Sequence, residues 1–168
     1  AFGVEISRYR PEFSRACVSL YPEGVSRGSV LLSYILDPFL LPPGQPISTV
    51  HTHHSESVLI AQTFLELGYA VDVIDFHNDE FSPSKDYVFF VSARTHLETI
   101  APRLNWDCIK IAHLDTAHFL FNNAVAYARA LALQRRRGVT STSIRVVEDN
   151  LAIENCDYAA VLGGEFCI

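Results

Sequence analysis

Methionine does not occur in the 168 residues, and Lys and Arg together number 13 against 19 Asp and Glu. The missing methionine, the start at Ala1 and an end directly behind an apolar strand pattern lead to the expectation of a piece of a longer protein. A formal net charge of −6 leaves few cations to neutralise phosphates, so nucleic acid is not expected as a partner. The one basic cluster, Arg135-Arg136-Arg137, stands before Gly138 at the end of a helical pattern, where cations are favoured by the helix dipole. No apolar run approaches the ~18 residues that span a bilayer, and AFGVEISRYR lacks the basic-then-apolar order of a signal peptide. Cys17, Cys108, Cys156 and Cys167 are widely spaced with no CxxC pair, which argues against a zinc site and reads as reduced, structural thiols in a cytoplasmic protein. Glycine-rich motifs are missing as well. Without G-x-G-x-x-G or a P-loop, dinucleotide or ATP binding through those loops is disfavoured, and without G-x-S-x-G there is no nucleophile elbow. No H-E-x-x-H and no internal repeat is present.

What the chain does have is apolar substance. With 49% hydrophobic and 19% charged residues it suits a single α/β domain with a sizeable core. Residues 1–28 read as an irregular N-terminal extension, broken by Pro11, Pro22 and Gly24, with one short candidate strand at 17–21. From Ser29 the pattern becomes regular. Strands are expected at 30–36, 70–76, 86–91, 108–113 and 158–162, and helices at 55–67, 95–103 and 116–137, with a helical turn at 149–155. The loop DPFLLPPGQP carries four prolines and is expected to exclude both helix and central strand. In the first helix, Ser55 or Ser57 is the expected cap, Val58, Ala61, Phe64 and Leu65 form the apolar stripe, and Gly68 is the expected C′ residue. Alternation of strand and helix predicts a Rossmann-like, doubly wound, mostly parallel sheet with helices on both faces over residues 29–168.

Ligands gather at the carboxyl ends of the strands in such sheets, which directs attention to two histidine-bearing segments. His51-Thr-His53-His54 precedes the first helix. Its H-x-H spacing admits a metal-ligand reading completed by His77, Asp79, His113 and Asp115; contact with an anionic or hydroxylated ligand is favoured over it, and helix capping and loop packing is the third alternative. In His113-Leu-Asp115-Thr-Ala-His118, His113 closes a core strand, where an imidazole can serve as base or hydrogen-bond donor, while Asp115 or Thr116 is expected to cap the long helix. Asp75 stands where dinucleotide-binding folds place a ribose-binding acid, and also offers a thin basis for a receiver-like regulatory domain.

The runs SVLLSYILDPF, HTHHSESVLIAQTFLELGYAVDVIDF and AIENCDYAAVLGGEF resemble the N-terminal half of GT-B glycosyltransferases, specifically bacterial relatives of family 4. Two departures are visible. LDPFLLPPGQP replaces the family's glycine-rich first loop, and Asp107 and His113 stand one residue further apart than its D-x-x-x-x-H spacing. The resemblance implies transfer of a sugar from a nucleotide-sugar donor to a sugar or lipid-linked acceptor hydroxyl, with no obligatory metal and no bound cofactor. It implies a missing C-terminal domain that holds most of the donor contacts, and it admits peripheral association with a membrane. His113 is then the expected catalytic residue, with His51, His53, His54, Asp115 and His118 binding substrate; Glu165, behind Gly163-Gly164, falls at a hinge. The alternatives are a metal-dependent hydrolase built on the HTHH loop and a non-catalytic binding or regulatory domain.

Overall fold

The computed structural model describes residues 15–49, 51–93, 95–141 and 143–161. Its centre is a six-stranded sheet in the order β1-β3-β2-β4-β5-β6. The strands are β1 (Cys17–Leu20), β2 (Ser29–Tyr34), β3 (Ala70–Asp75), β4 (Phe89–Ser92), β5 (Ile109–Leu114) and β6 (Tyr158–Val161). β2 to β6 are mutually parallel, and β1 runs antiparallel along the outer edge of β3. Taken in chain order, the five parallel strands lie 2-1-3-4-5, so the winding reverses between β2 and β4. The doubly wound, Rossmann-like α/β sheet expected from the sequence is the fold. The short strand expected at 17–21, within the extension drawn over residues 1–28, is present at Cys17–Leu20 as an edge strand of that sheet.

Both faces are covered, as the continuous apolar runs of β2 and β3 require. Val30, Leu32, Tyr34, Val71, Val73 and Val91 point to one side and pack with Ala61 and Phe64 of α1 (Thr52–Glu66). The alternate residues Leu31, Ile74 and Phe90 point to the other, against Leu97 of α2 (His96–Thr99), Ile100 and Ala152. The third helix, α3 (Phe119–Arg137), differs: none of its residues is fully buried, and Leu120, Phe121, Tyr127 and Leu131 are exposed.

Several element boundaries move, each for a local reason. α1 starts at Thr52 with His51 as N-cap, so neither Ser55 nor Ser57 caps it. Ser57 instead lies in the helix body, fully buried, and donates from Oγ to the Ile35 carbonyl at 2.8 Å, fixing the helix to the end of β2. At its other end, Gly68 N–H bonds to Leu65 O and Tyr69 N–H to Phe64 O, the Schellman pattern, with Gly68 at φ +87°. The expected helix at 95–103 is one α-helical turn followed by a 3₁₀ turn at Ala101–Arg103, because Pro102 removes a donor and disfavours α geometry before it. Pro38 sits at the start of a 3₁₀ turn, Asp37–Leu40, a position that tolerates proline, so the proline loop is not wholly without helix. β4 begins at Phe89 rather than Asp86, since the Asn105 side chain takes both the N–H and the carbonyl of Tyr87. The expected end of the last strand at Leu162, together with Gly163, Gly164, Glu165 and Cys167, lies outside the described residues.

One charge sits inside the sheet. Asp72 in β3 is buried and accepts from Ser19 of β1 at 2.7 Å and from the Tyr87 hydroxyl at 2.7 Å, with Lys85 Nζ at 2.9 Å. Burial works to raise its pKa, but hydrogen bonds from Lys85, Ser19 and Tyr87 outweigh it and hold the carboxyl below its ordinary value. The network stitches β1 to β3 and to the approach to β4.

Candidate functional site

The carboxyl ends of β2 and β5 meet the first turn of α1, and five polar side chains converge there. Tyr34, last in β2, donates from its hydroxyl to Glu56 Oε2 at 2.8 Å and lies 2.6 Å from His53 Nδ1. His53 and Glu56 are one helical turn apart and approach to 3.2 Å. His113, the penultimate residue of β5, brings its ring edge-on to Tyr34 with centroids 5.2 Å apart and places Nε2 3.8 Å from Glu56 Oε2. Asp115, whose side chain is only 1% exposed, stands 3.9 Å from His53 Nδ1. With its proton on Nδ1, His53 donates to the Tyr34 oxygen while Tyr34 donates to Glu56, leaving the other ring nitrogen as an acceptor.

Electrostatics favour a charged carboxylate at Glu56. Partial desolvation pushes its pKa up, but hydrogen bonds from Tyr34 and His53 and the fields of His53 and His113 hold it below the ordinary glutamate value. His113 Nε2 is buried and makes no hydrogen bond among the described residues. A buried imidazole nitrogen without a protein partner at a strand end is a place where a ligand hydroxyl can bind.

The expected site residues separate into three groups. His113, His53 and Asp115 come together. His51 and His54 instead face each other, with ring centroids 6.2 Å apart, and do not join the Tyr34 cluster. His118 lies on a second cavity and caps α3, its Nδ1 accepting from the Leu120 N–H at 3.3 Å. That displaces Asp115 and Thr116 as caps; the Asp115 side chain is turned into the protein instead. Because His53 diverges from His51 and His54, the HTHH run does not present three imidazoles to one point. Among the described residues no group of three or more His, Cys, Asp or Glu is arranged to hold a metal ion. Asp75 accepts from the His77 N–H at 3.0 Å, and its carboxylate also faces His77 Nδ1 at 2.9 Å.

Tyr34 and Glu56 escaped sequence reasoning. Tyr34 falls inside the strand expected at 30–36 and Glu56 inside the helix expected at 55–67; the i, i+3 spacing of His53 and Glu56 is the signal that could have found the pair.

Two cavities flank the cluster. One, of about 420 Å³, lies against the ends of β3, β4 and β5 and is bounded by Ser92, His118, Glu148 and Asp149. The other, of about 690 Å³, runs along α3. Asp115, Thr116 and Val147 line both. Comparison of the chain with protein-family models, curated proteins and solved structures gives no match. The geometry and the sequence therefore carry the functional reading between them.

Proposed function

We propose that this chain is the N-terminal, acceptor-side domain of a GT-B glycosyltransferase. Its donor, a nucleotide sugar, is held mainly by a C-terminal domain of the parent protein, and its acceptor is a sugar or lipid-linked hydroxyl compound reaching the cluster at the carboxyl edge. The observation that carries the reading is His113 Nε2, buried at the end of β5 with no hydrogen-bond partner among the described residues and facing Glu56. In the proposed reaction His113 Nε2 accepts the hydrogen bond of the acceptor hydroxyl, whose oxygen attacks the anomeric carbon of the donor sugar; the bond from that carbon to the nucleoside diphosphate breaks, the diphosphate leaves, and the hydroxyl proton passes to Nε2. Glu56, held ionised, and the Tyr34 hydroxyl orient the surrounding imidazoles, and Asp115 sets the orientation of His53. No metal or cofactor is assigned to this domain. A cytoplasmic setting belongs to the same proposal and agrees with the free thiols of Cys17, Cys108 and Cys156. Among the described residues no helix is long and apolar enough to cross a membrane, and a lipid-linked acceptor would be met by peripheral association.

The test starts with the reading frame beyond Ile168 and the protein it encodes, assayed with a panel of nucleotide sugars. Turnover of a donor is expected. His113→Gln, which keeps polarity and approximate volume, is expected to lower kcat by at least about 100-fold, the scale of a lost proton-handling group. Unchanged kcat in that variant removes His113 from the reaction; absence of donor turnover by the intact parent overturns the transferase reading itself.

A further inference from the structure

From Thr116 to Val147 the sequence contains no Asp or Glu, yet holds Arg129, Arg135, Arg136, Arg137 and Arg145, five of the 13 cations in a chain of net charge −6. The remainder of the chain is correspondingly acidic. This charge separation has a place in the fold, because the acid-free segment builds the walls of the 690 Å³ groove. One wall is α3, which presents Phe121, Val125 and Arg129. The facing wall is formed by residues 143–147, which present Ile144 and Arg145. The walls are pinned together by Asn123, whose side chain donates to the Val147 carbonyl at 2.9 Å and accepts from the Val147 N–H at 2.9 Å. At its inner end the groove reaches His53 and Asp115.

We propose that this groove binds an amphiphilic phosphate ester, with the phosphate held by Arg129 and Arg145 and an apolar chain lying against Phe121, Val125 and Ile144. Charge complementarity selects the anion: among the described residues lining the groove there are two guanidinium groups, and the one carboxylate, Asp115, is buried at the inner end. Guanidinium forks suit phosphate oxygens, which they engage through paired N–H bonds. The apolar lining selects the remainder of the ligand, since it gains from removing hydrocarbon from water and a free inorganic ion would leave it unused. Assigning this ligand as the acceptor rests on the transferase reading, because the groove opens on His53; binding of the phosphate ester does not.

The experiment is calorimetric titration of the full chain with octyl phosphate below its micellar concentration, with octyl glucoside and inorganic phosphate as comparisons. Saturable binding of octyl phosphate is expected, with much weaker binding of either comparison compound. Arg129→Gln and Arg145→Gln are each expected to weaken octyl phosphate by about tenfold, the effect of losing one charge-assisted hydrogen bond, while circular dichroism shows both variants folded. Phe121→Ser should weaken octyl phosphate and leave inorganic phosphate unaffected. The proposal is overturned if octyl phosphate and inorganic phosphate bind equally, if the two arginine variants bind like the parent chain, or if association occurs only on phosphatidylcholine vesicles containing phosphatidylglycerol, which would make the segment a membrane-binding surface. Binding with the expected variant pattern, in a parent protein that turns over no nucleotide sugar, would keep the groove and remove the transferase reading.

Discussion

His96 shows how much one residue can hide. It is fully buried, with Nδ1 2.6 Å from the buried Ser33 hydroxyl and Nε2 3.3 Å from Asp79 Oδ1. Burial lowers its pKa below the ordinary histidine value, and this outweighs the opposing pull of Asp79. The folded protein therefore keeps the ring neutral at pH values where the unfolded chain takes up a proton. Stability from this site is complete above about pH 6.5, the unfolded value, and falls as the pH drops below it. In His96→Asn, which can still reach Ser33, the midpoint of urea unfolding should vary less between about pH 6.5 and 5 than in the parent chain; equal slopes would remove His96 as the cause. Nothing in the sequence around Thr95-His96-Leu97 distinguishes this histidine from an exposed one. Its burial comes with the contact of His96 with Ser33 and the packing of Leu97 in one cluster with Leu31, contacts between residues far apart in the chain. The same reason hid Tyr34 and Glu56, while His113 and Asp115 were legible because they follow directly from the end of a strand.

Elements were easier to read where local chemistry dictates them. Of the stripe expected through Val58, Ala61, Phe64 and Leu65, the last three pack in the core cluster with the sheet while Val58 is not part of it, and Gly68 ends α1 as its position implies. Gly68→Ala is expected to lower stability by about 1–2 kcal/mol, the cost of a left-handed conformation in a residue with a Cβ, visible as a lower denaturant midpoint at unchanged slope. An added Cβ would meet only the flexible Arg27 side chain, at 3.1 Å, so the backbone conformation dominates the effect. Boundaries were less legible where a side chain chooses a distant partner. Ser57 bonds to Ile35 instead of capping, and Asn105 holds the backbone of Tyr87 out of β4. β1 offers the most direct check at this scale. A chain begun at Ser29 lacks β1 and leaves the outer edge of β3, with the buried carboxylate of Asp72, uncovered. Such an edge invites pairing with other chains, so the shortened protein should elute from size-exclusion chromatography as aggregates where the full chain does not. Equal elution as a single species would show that β1 is dispensable.

At the scale of the molecule, alternating strands and helices fixed the expectation of a parallel sheet, and the position of the edge that gathers the carboxyl ends of its strands followed. The order of the strands was not legible, because periodicity reports which face a residue takes and not which strand lies beside it. β1 illustrates the gap: four residues of modest apolarity became an antiparallel border of a sheet otherwise parallel throughout. That border has a temporal side. β1 is among the first described segments to leave the ribosome, yet Cys17 pairs with Ile74 and Leu20 with Val71. Until β3 has been synthesised, the early strand has no edge to join, and the Ser19 hydroxyl has no Asp72 to meet. The sheet can assemble inward from β2 and β3 as translation proceeds, but its outer margin closes by the return of an earlier part of the chain onto a later one.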